Sequence, residues 1–341
     1  MHMADALVSP AVAGTMYAVS AGTAVYAVKK IKPEDLDKKV PMMGVMGAFV
    51  FAAQMINFTI PGTGSSGHLC GGMLLSAILG PHAGFLTMIA ILAIQSLMFA
   101  DGGLLALGCN VWNMAFYGCF VGGGLIWRGM TGKKLTKGRI TAASIIGCML
   151  SLQLGAFSVT IETLISGITE LPFSVFLSVM QPIHLAIGLV EGLITAAVLV
   201  FVGEARPETL STYPSTLGKD GCMSRRKMVG ALAASALLIG GAVSLFASGN
   251  PDGLEWSMEK VAGTAELSAS GMLHQMAEKL QGITALLPDY GFQTLESAVG
   301  TSFSGIVGGM IVLAVCLLLC LAIKRLKHTG ADKGNTGNEQ N

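Results

Sequence analysis

The chain has 341 residues, 52% hydrophobic and only 12% charged, with 45 glycines, a mean hydropathy of +0.66 and a formal net charge of +1. Soluble globular domains carry about a quarter charged residues, so this composition excludes an ordinary soluble domain and reads as a polytopic membrane protein. The net charge identifies no partner, and no nucleic acid is expected among the partners.

A spanning helix needs about 20 mostly apolar residues. In chain order such stretches occur near Leu7–Val28, Val40–Ile60, His68–Gly80, His82–Ala100, Leu104–Trp127, Ile140–Glu162, Pro182–Val202, Met228–Ser248 and Ser304–Ile323. The third is short and flanked by glycine, which suits a broken or re-entrant helix, tolerated in a bilayer only where protein buries it. The expected fold class is all-α, a polytopic membrane helix bundle of about nine transmembrane segments.

Lysine and arginine orient the bundle. They cluster in four connections: Lys29, Lys30, Lys32, Lys38 and Lys39; Arg128, Lys133, Lys134, Lys137 and Arg139; Arg206, Lys219, Arg225, Arg226 and Lys227; and Lys324, Arg325, Lys327 and Lys333. These are all but Lys260 and Lys279 of the 21 basic residues. They share one side if His68–Gly80 crosses, which predicts the N-terminus outside and the C-terminus cytoplasmic. Met1–Pro10 lacks the basic region of a cleavable signal peptide. The exterior then receives Gly249–Thr301, an acidic loop with Asp252, Glu255, Glu259, Glu266, Glu278, Asp289 and Glu296. Its charge would concentrate cations weakly, or would serve only a solvated loop.

Met1-His2-Met3 begins the chain on that same side. A bulky second residue is expected to protect Met1 from removal. The α-amine of Met1 and the amide and ring nitrogens of His2 can then close two small chelate rings. Three nitrogens in a plane leave a fourth corner for another imidazole, a geometry suited to Ni(II) or Cu(II). A frayed terminus is the plainer expectation from three residues alone. His68, in TIPGTGSSGHLCGG (Thr59–Gly72), lies at the exterior mouth and is the candidate for that corner.

Other intramembrane polar residues are candidates for orienting the site or lining a pathway. Asp101 lies at the exterior face, and Asn110 and Asn113 are three apart, with interhelical hydrogen bonding as their plainer role. His184 and Glu191, seven apart, share a helical face. A glutamate within a span is costly and signals function by default, against an internal bond that fixes packing. His82, His274 and His328 are placed away from the site. The seven cysteines form no CxxC pair and read as small buried hydrophobes. No GxxxxGK[ST] loop and no HExxH occur, so neither ATP binding by that loop nor a zincin is expected.

Met1-His2-Met3-Ala4-Asp5, GHLCGG at Gly67–Gly72, FADGGLLALGCNVWNMA at Phe99–Ala115 and PIHLAIGLVEGLIT at Pro182–Thr195 together resemble the substrate-specific component of cobalt and nickel energy-coupling-factor ABC transporters, the CbiM/NikM family. The resemblance runs from Met1 to about Val202. PDGLEWS at Pro251–Ser257, followed by a last span, is similar to the small CbiN/NikN subunit with its PDGLE domain, here fused. Val261–Leu280 matches nothing recognisable.

The resemblance implies a component that captures Co(II) or Ni(II) outside the cytoplasmic (inner) membrane and helps import it, with the metal as substrate and no catalytic cofactor. The cargo would supply cobalamin synthesis or nickel enzymes. It implies Met1, His2 and His68 as metal ligands. It also implies a separate transmembrane coupling (T) subunit and cytoplasmic ATPase (A) subunits, so this chain is no enzyme. The division expected is 1–203 for the metal-binding membrane domain, 204–227 for a cytoplasmic linker, 228–330 for the PDGLE domain and 331–341 for a disordered tail. Cys70 departs from the family pattern, where an apolar or small residue is common, and a thiol there bears on metal preference. The competing readings are a gradient-driven permease and a bis-histidine haem subunit.

Overall fold

Three of the long helices begin on proline, whose fixed φ suits a first helical turn and whose missing N–H costs nothing there. They are α1 (Pro10–Lys30), α2 (Pro33–Gln54) and α4 (Pro81–Phe99). The computed structural model describes residues 1–213, 223–265, 267–269, 271–292 and 298–335. Lys219, Cys222, Glu266, Glu296 and the end of the expected tail lie outside the described residues, as do the side chains of Lys38, Lys39, His328 and Lys333.

Between α2 and α4 the chain makes a hairpin of β1 (Phe58–Ile60) and β2 (Ser65–Gly67), then an extended run, then α3 (Gly72–Leu79). After α4, α5 (Leu107–Asn110) leads into a π-helix (Val111–Trp127) and α6 (Arg128–Thr131). Next come α7 (Lys137–Ser166), α8 (Phe173–Ala205) and α9 (Arg225–Gly241). The chain then forms α10 (Gly253–Ala262), α11 (Met272–Thr284) and α12 (Ala298–Asn335).

Among the described residues five helices are long and apolar enough to cross a membrane by themselves: α1, α4, α7, α8 and the Val299–Lys327 part of α12. The other expected spans are helical but divided or shorter. Val40–Ile60 does not run through as expected, because α2 stops at Gln54 and Phe58–Ile60 pairs with Ser65–Gly67 across the Pro61–Gly64 turn. Among the described residues the fold is therefore helical with one small hairpin. His68–Gly80 is a broken element, four residues of coil and an eight-residue helix, every residue of α3 being buried. The coil is buried in protein as well, which is what a broken element inside a bilayer would require. The π-helix closes against α3 at Gly118 and Gly72, where an added Cβ on Gly72 would sit 2.9 Å from the Gly118 Cα.

Two cavities mark the two ends of α4, which at 19 residues spans ~28 Å. At its start, a cavity of about 850 Å³ is lined by Gly80, Pro81, Arg128, Arg206 and Arg225. Beyond its end, a cavity of about 590 Å³ is lined by His2, His68, Asp101 and Asp252. Gly249–Thr301, expected as a loop, instead builds α10, α11 and a short 3-10 turn (Pro288–Tyr290) that close over the second cavity. Six cysteines, Cys70, Cys109, Cys119, Cys148, Cys316 and Cys320, are buried, as expected of small apolar side chains.

Candidate metal centre

The N-terminus is not frayed. Met1 is 6% exposed and Met3 fully buried. Asn110 accounts for much of this, because its side-chain amide pairs with both main-chain groups of Met3. It accepts from the Met3 N–H at 2.7 Å and donates to the Met3 carbonyl at 3.1 Å. The Gly103 N–H donates to that same carbonyl. Two residues on, Asp5 Oδ1 accepts from the Ala106 N–H at 2.9 Å. The first five residues are thus pinned to the connection leading into α5.

The pinned terminus places the Met1 amine 3.2 Å from Nε2 of His68. His68 Nδ1 lies 3.1 Å from the Leu69 carbonyl, which can only accept, so Nδ1 carries the proton and Nε2 offers its lone pair to the amine. Behind His68, Glu191 on α8 accepts from the Gly71 N–H at 3.0 Å and so holds the coil that carries His68. Gln54 on α2 donates to the Cys70 carbonyl at 2.8 Å, gripping the same coil from the other side.

The His2 ring stacks on His68, with centroids 5.2 Å apart and planes 16° from parallel. Its Nδ1, the ring nitrogen that closes a small chelate ring with the amide, lies 3.0 Å from Asp101 Oδ1 and must be the donor. Its Nε2 is buried with no partner. Of the expected nitrogens, the amine and His68 Nε2 are adjacent, while Nδ1 of His2 faces a carboxylate. A shift of the ring proton to Nε2 would free Nδ1 for a cation. Asp101 is itself fixed by the Tyr290 hydroxyl, which donates to Oδ2 at 2.5 Å and accepts from Gln95 at 3.2 Å.

The amine forms an ion pair with Asp252 Oδ2, whose carboxylate also lies 3.9 Å from His68 Nε2. Burial alone would lower the amine pKa, but the charge and hydrogen bond of Asp252, with Asp101 and Glu255 beyond, raise it above 8.0. His68 is neutral by its contacts, with Nδ1 donating to the Leu69 carbonyl and Nε2 facing the amine. Burial lowers His2, against the pull of Asp101. Burial acts to raise Asp252, but the amine and His68 outweigh it and hold the carboxyl well below its usual range. The site thus presents two neutral imidazoles and one ammonium to two carboxylates.

Among the described residues no three His, Cys, Asp or Glu side chains are grouped to hold a metal ion. The donors that do converge include a main-chain amine. His184 stands just beneath. Its Nδ1 donates to the Met180 carbonyl at 2.8 Å, leaving a buried Nε2 with no partner at a small cavity shared with Met1, His68 and Asp252. Asn113 takes a different role from Asn110, donating to Glu162 at 2.7 Å and contacting the Met3 sulfur. His274, placed away from the site by its position in the loop, is buried, lines the cavity of about 590 Å³ and bonds to the Val8 carbonyl at 3.0 Å.

Residues 2–209 match the model of the CbiM family, the cobalt uptake substrate-specific transmembrane region. The chain belongs to that family. Residues 226–325 match the PDGLE domain, so the chain joins the two. A protein of Archaeoglobus fulgidus assigned as a fused nickel transport protein, NikMN, is 37% identical, over 92% of this chain and 96% of that protein. The cobalt transport protein CbiM of Geobacter sulfurreducens is 30% identical over 70% of each chain. A crystal structure of a truncated transition metal transporter aligns at a TM-score of 0.52 and 33% identity, over 59% of this chain and 98% of that one. These matches, with the apolar helices, make the protein a multi-pass membrane protein of a metal-transport family.

Two participants were not identified from sequence. Asp252 carried a signal, since Asp-x-x-Glu at Asp252–Glu255 is a helix-capping pattern, but nothing in the pattern names Met1 as its partner. Tyr290 carried none; it reaches Asp101 from a 3-10 turn 189 positions away.

Proposed function

We propose that the chain is the capturing component of a cobalt or nickel importer of the energy-coupling-factor type, and that Met1, His2 and His68 hold the ion. The observation that carries this is the 3.2 Å separation of the Met1 amine and His68 Nε2. Two nitrogens at adjacent corners of a square, each bound at ~2.0–2.1 Å as imidazole binds zinc, lie about 2.9 Å apart.

Charge supports a divalent cargo. Binding through the amine and the His2 amide releases one proton from each. One doubly charged ion then replaces two protons, and the net charge of a buried site does not change. No uncompensated charge has to be desolvated, which is the step that is otherwise costly. The nitrogen set favours Ni(II), Co(II) or Cu(II) over Mg(II) or Ca(II), which prefer oxygen.

In this proposal the N-terminus and α10–α11 face outside, and the cavity with Arg128, Arg206 and Arg225 faces the cytoplasm. Asp101, Asn110, His184 and Glu191 orient the ligands or line the way inward. Coupling and ATPase subunits supply the energy, consistent with the missing phosphate loop. The test is metal analysis of the purified full-length chain after dialysis against Ni(II) or Co(II). The native N-terminus is compared with one extended by a residue, and its identity is checked by intact mass. Bound metal with the native end and none with the extended end is expected; equal loading of both would place the ion elsewhere.

A further inference from the structure

Asp252 uses its two oxygens for separate tasks. Oδ1 caps α10, accepting from the Leu254 N–H at 2.7 Å and the Glu255 N–H at 2.9 Å, while Glu255 accepts from the Asp252 N–H at 3.0 Å. Oδ2 takes no part in the cap and meets the Met1 amine.

The capped segment is fastened to the hairpin that leads to His68. The Ser66 N–H donates to the Pro251 carbonyl at 2.8 Å, the Ser66 hydroxyl to the Asn250 carbonyl at 2.8 Å, and the Trp256 indole to the Thr63 carbonyl at 3.0 Å. Its other side lies on α8. There Gly253 comes so close that an added Cβ would stand 2.6 Å from Ile187 Cδ1 and 3.1 Å from His184 Cε1. Hairpin, α8 and cap together fix where Oδ2 points, and it points at the amine that neighbours His68.

We propose that Asp252, supplied by the PDGLE unit, is a positioning residue of the metal centre: Oδ2 holds the Met1 amine beside His68 before the ion arrives and keeps one amine hydrogen afterwards. This role presupposes the terminal chelate proposed above. An ammonium has three N–H bonds. When one proton leaves to water and the lone pair turns to the ion, two N–H bonds remain, and one can stay on Oδ2. The carboxylate is thereby compatible with the bound ion and competes for no coordination position. The PDGLE unit becomes part of the binding site itself, and holding the amine in advance lowers the ordering cost of binding.

The test uses the full-length protein and Ni(II) alone. D252S retains a good helix cap, because serine caps about as well as aspartate, but removes the second oxygen and the charge. Its Ni(II) affinity is expected to fall about 10–100-fold, the range for groups that act through a ligand. The metal stoichiometry, the d–d absorption of bound Ni(II) and the thermal midpoint of the metal-free protein should stay as in the unsubstituted chain. D252N, which keeps the cap and the side-chain shape, should show the same loss and carries the test if D252S fails to fold. Unchanged affinity in the variant that folds overturns the proposal, as does a shifted d–d band, which would make Asp252 a ligand. H68A is measured alongside. If H68A binds Ni(II) normally the chelate itself is wrong; if H68A fails to bind while D252S and D252N bind normally, only the role of Asp252 falls.

Discussion

The amine of Met1 and the imidazole of His68 lie 67 positions apart in the chain and 3.2 Å apart in space. Neither is held by the other alone: Asn110 grips Met3, Glu191 grips the coil after His68, and Asp252 grips the amine. If this juncture is the metal centre, each nitrogen is indispensable. His2→Ala and His68→Ala are expected to abolish Ni(II) and Co(II) binding and uptake, and one residue inserted between Met1 and His2 should do so by enlarging a chelate ring. Folding, read from size-exclusion profile and thermal midpoint, should persist, because the helical packing does not depend on these nitrogens. Residual binding in all three variants would move the site.

Protonation makes a second expectation. The amine is raised above 8.0 by Asp252 despite its burial, whereas His68 is held neutral by its contact with the Leu69 carbonyl and burial lowers His2. Near neutral pH the imidazoles are therefore already deprotonated, and the ammonium and the His2 amide are the groups that must each yield a proton to the ion. Metal affinity should rise with pH by about tenfold or more per unit through neutrality, with no inflection at the usual imidazole value of ~6.5. Stability of the metal-free protein should move the other way. A raised amine contributes an ion pair that is fully present below its unfolded value and is lost as pH climbs through the folded one. Calorimetry in buffers of different protonation enthalpy, and unfolding midpoints on either side of 8.0, check the two signs.

Glu191 and Asn110 touch the supports of the ligands and not the converging nitrogens. Glu191→Gln keeps one acceptor for the Gly71 N–H, and Asn110→Ala releases both main-chain groups of Met3. Each is expected to weaken metal binding about 10–100-fold without abolishing it. Equilibrium dialysis against radioactive nickel separates weakening from loss, and a complete loss at either position would assign that side chain directly to the ion.

Tyr290 holds Asp101, which holds His2. Tyr290→Phe keeps the ring that stacks on Phe99 at 4.7 Å and removes only the hydroxyl. A hydrogen bond to a charged group is worth about 1.5–3 kcal/mol, so the variant should lower the thermal midpoint measurably. An unchanged midpoint would mean that Asp101 finds another donor at no cost.

Orientation can be read without metal. Cysteines introduced within 131–138, beside Arg128, Lys133, Lys134 and Lys137, should resist an impermeant maleimide in intact cells and react after lysis. Ready labelling from outside would reverse the topology.

Much of this protein was legible locally. Apolar length marks α1, α4, α7, α8 and α12, because a bilayer demands a long run of apolar side chains whatever packs against it. Glycine and short length marked His68–Gly80 as a broken element. The hairpin at Phe58–Gly67 was not legible, since three-residue strands are too short to show alternation. Nor was the folding of Gly249–Thr301 into helices, whose apolar faces have meaning only once α4 and α8 are there to cover them.

The sequence by itself determined that this is a membrane bundle whose first dipeptide carries an amine beside an imidazole, with a histidine in a glycine-rich turn and a carboxylate within an apolar run, because residue type and spacing carry those facts. Only the tertiary structure decided which groups meet. Met1 finds Asp252 at a separation of 251 positions, and His2 finds an Asp101 that Tyr290 secures. Such pairings arise from how α10 and the Pro288–Tyr290 turn dock over the end of α4, and no periodicity within one element encodes a contact whose two halves lie in separate units of the fold.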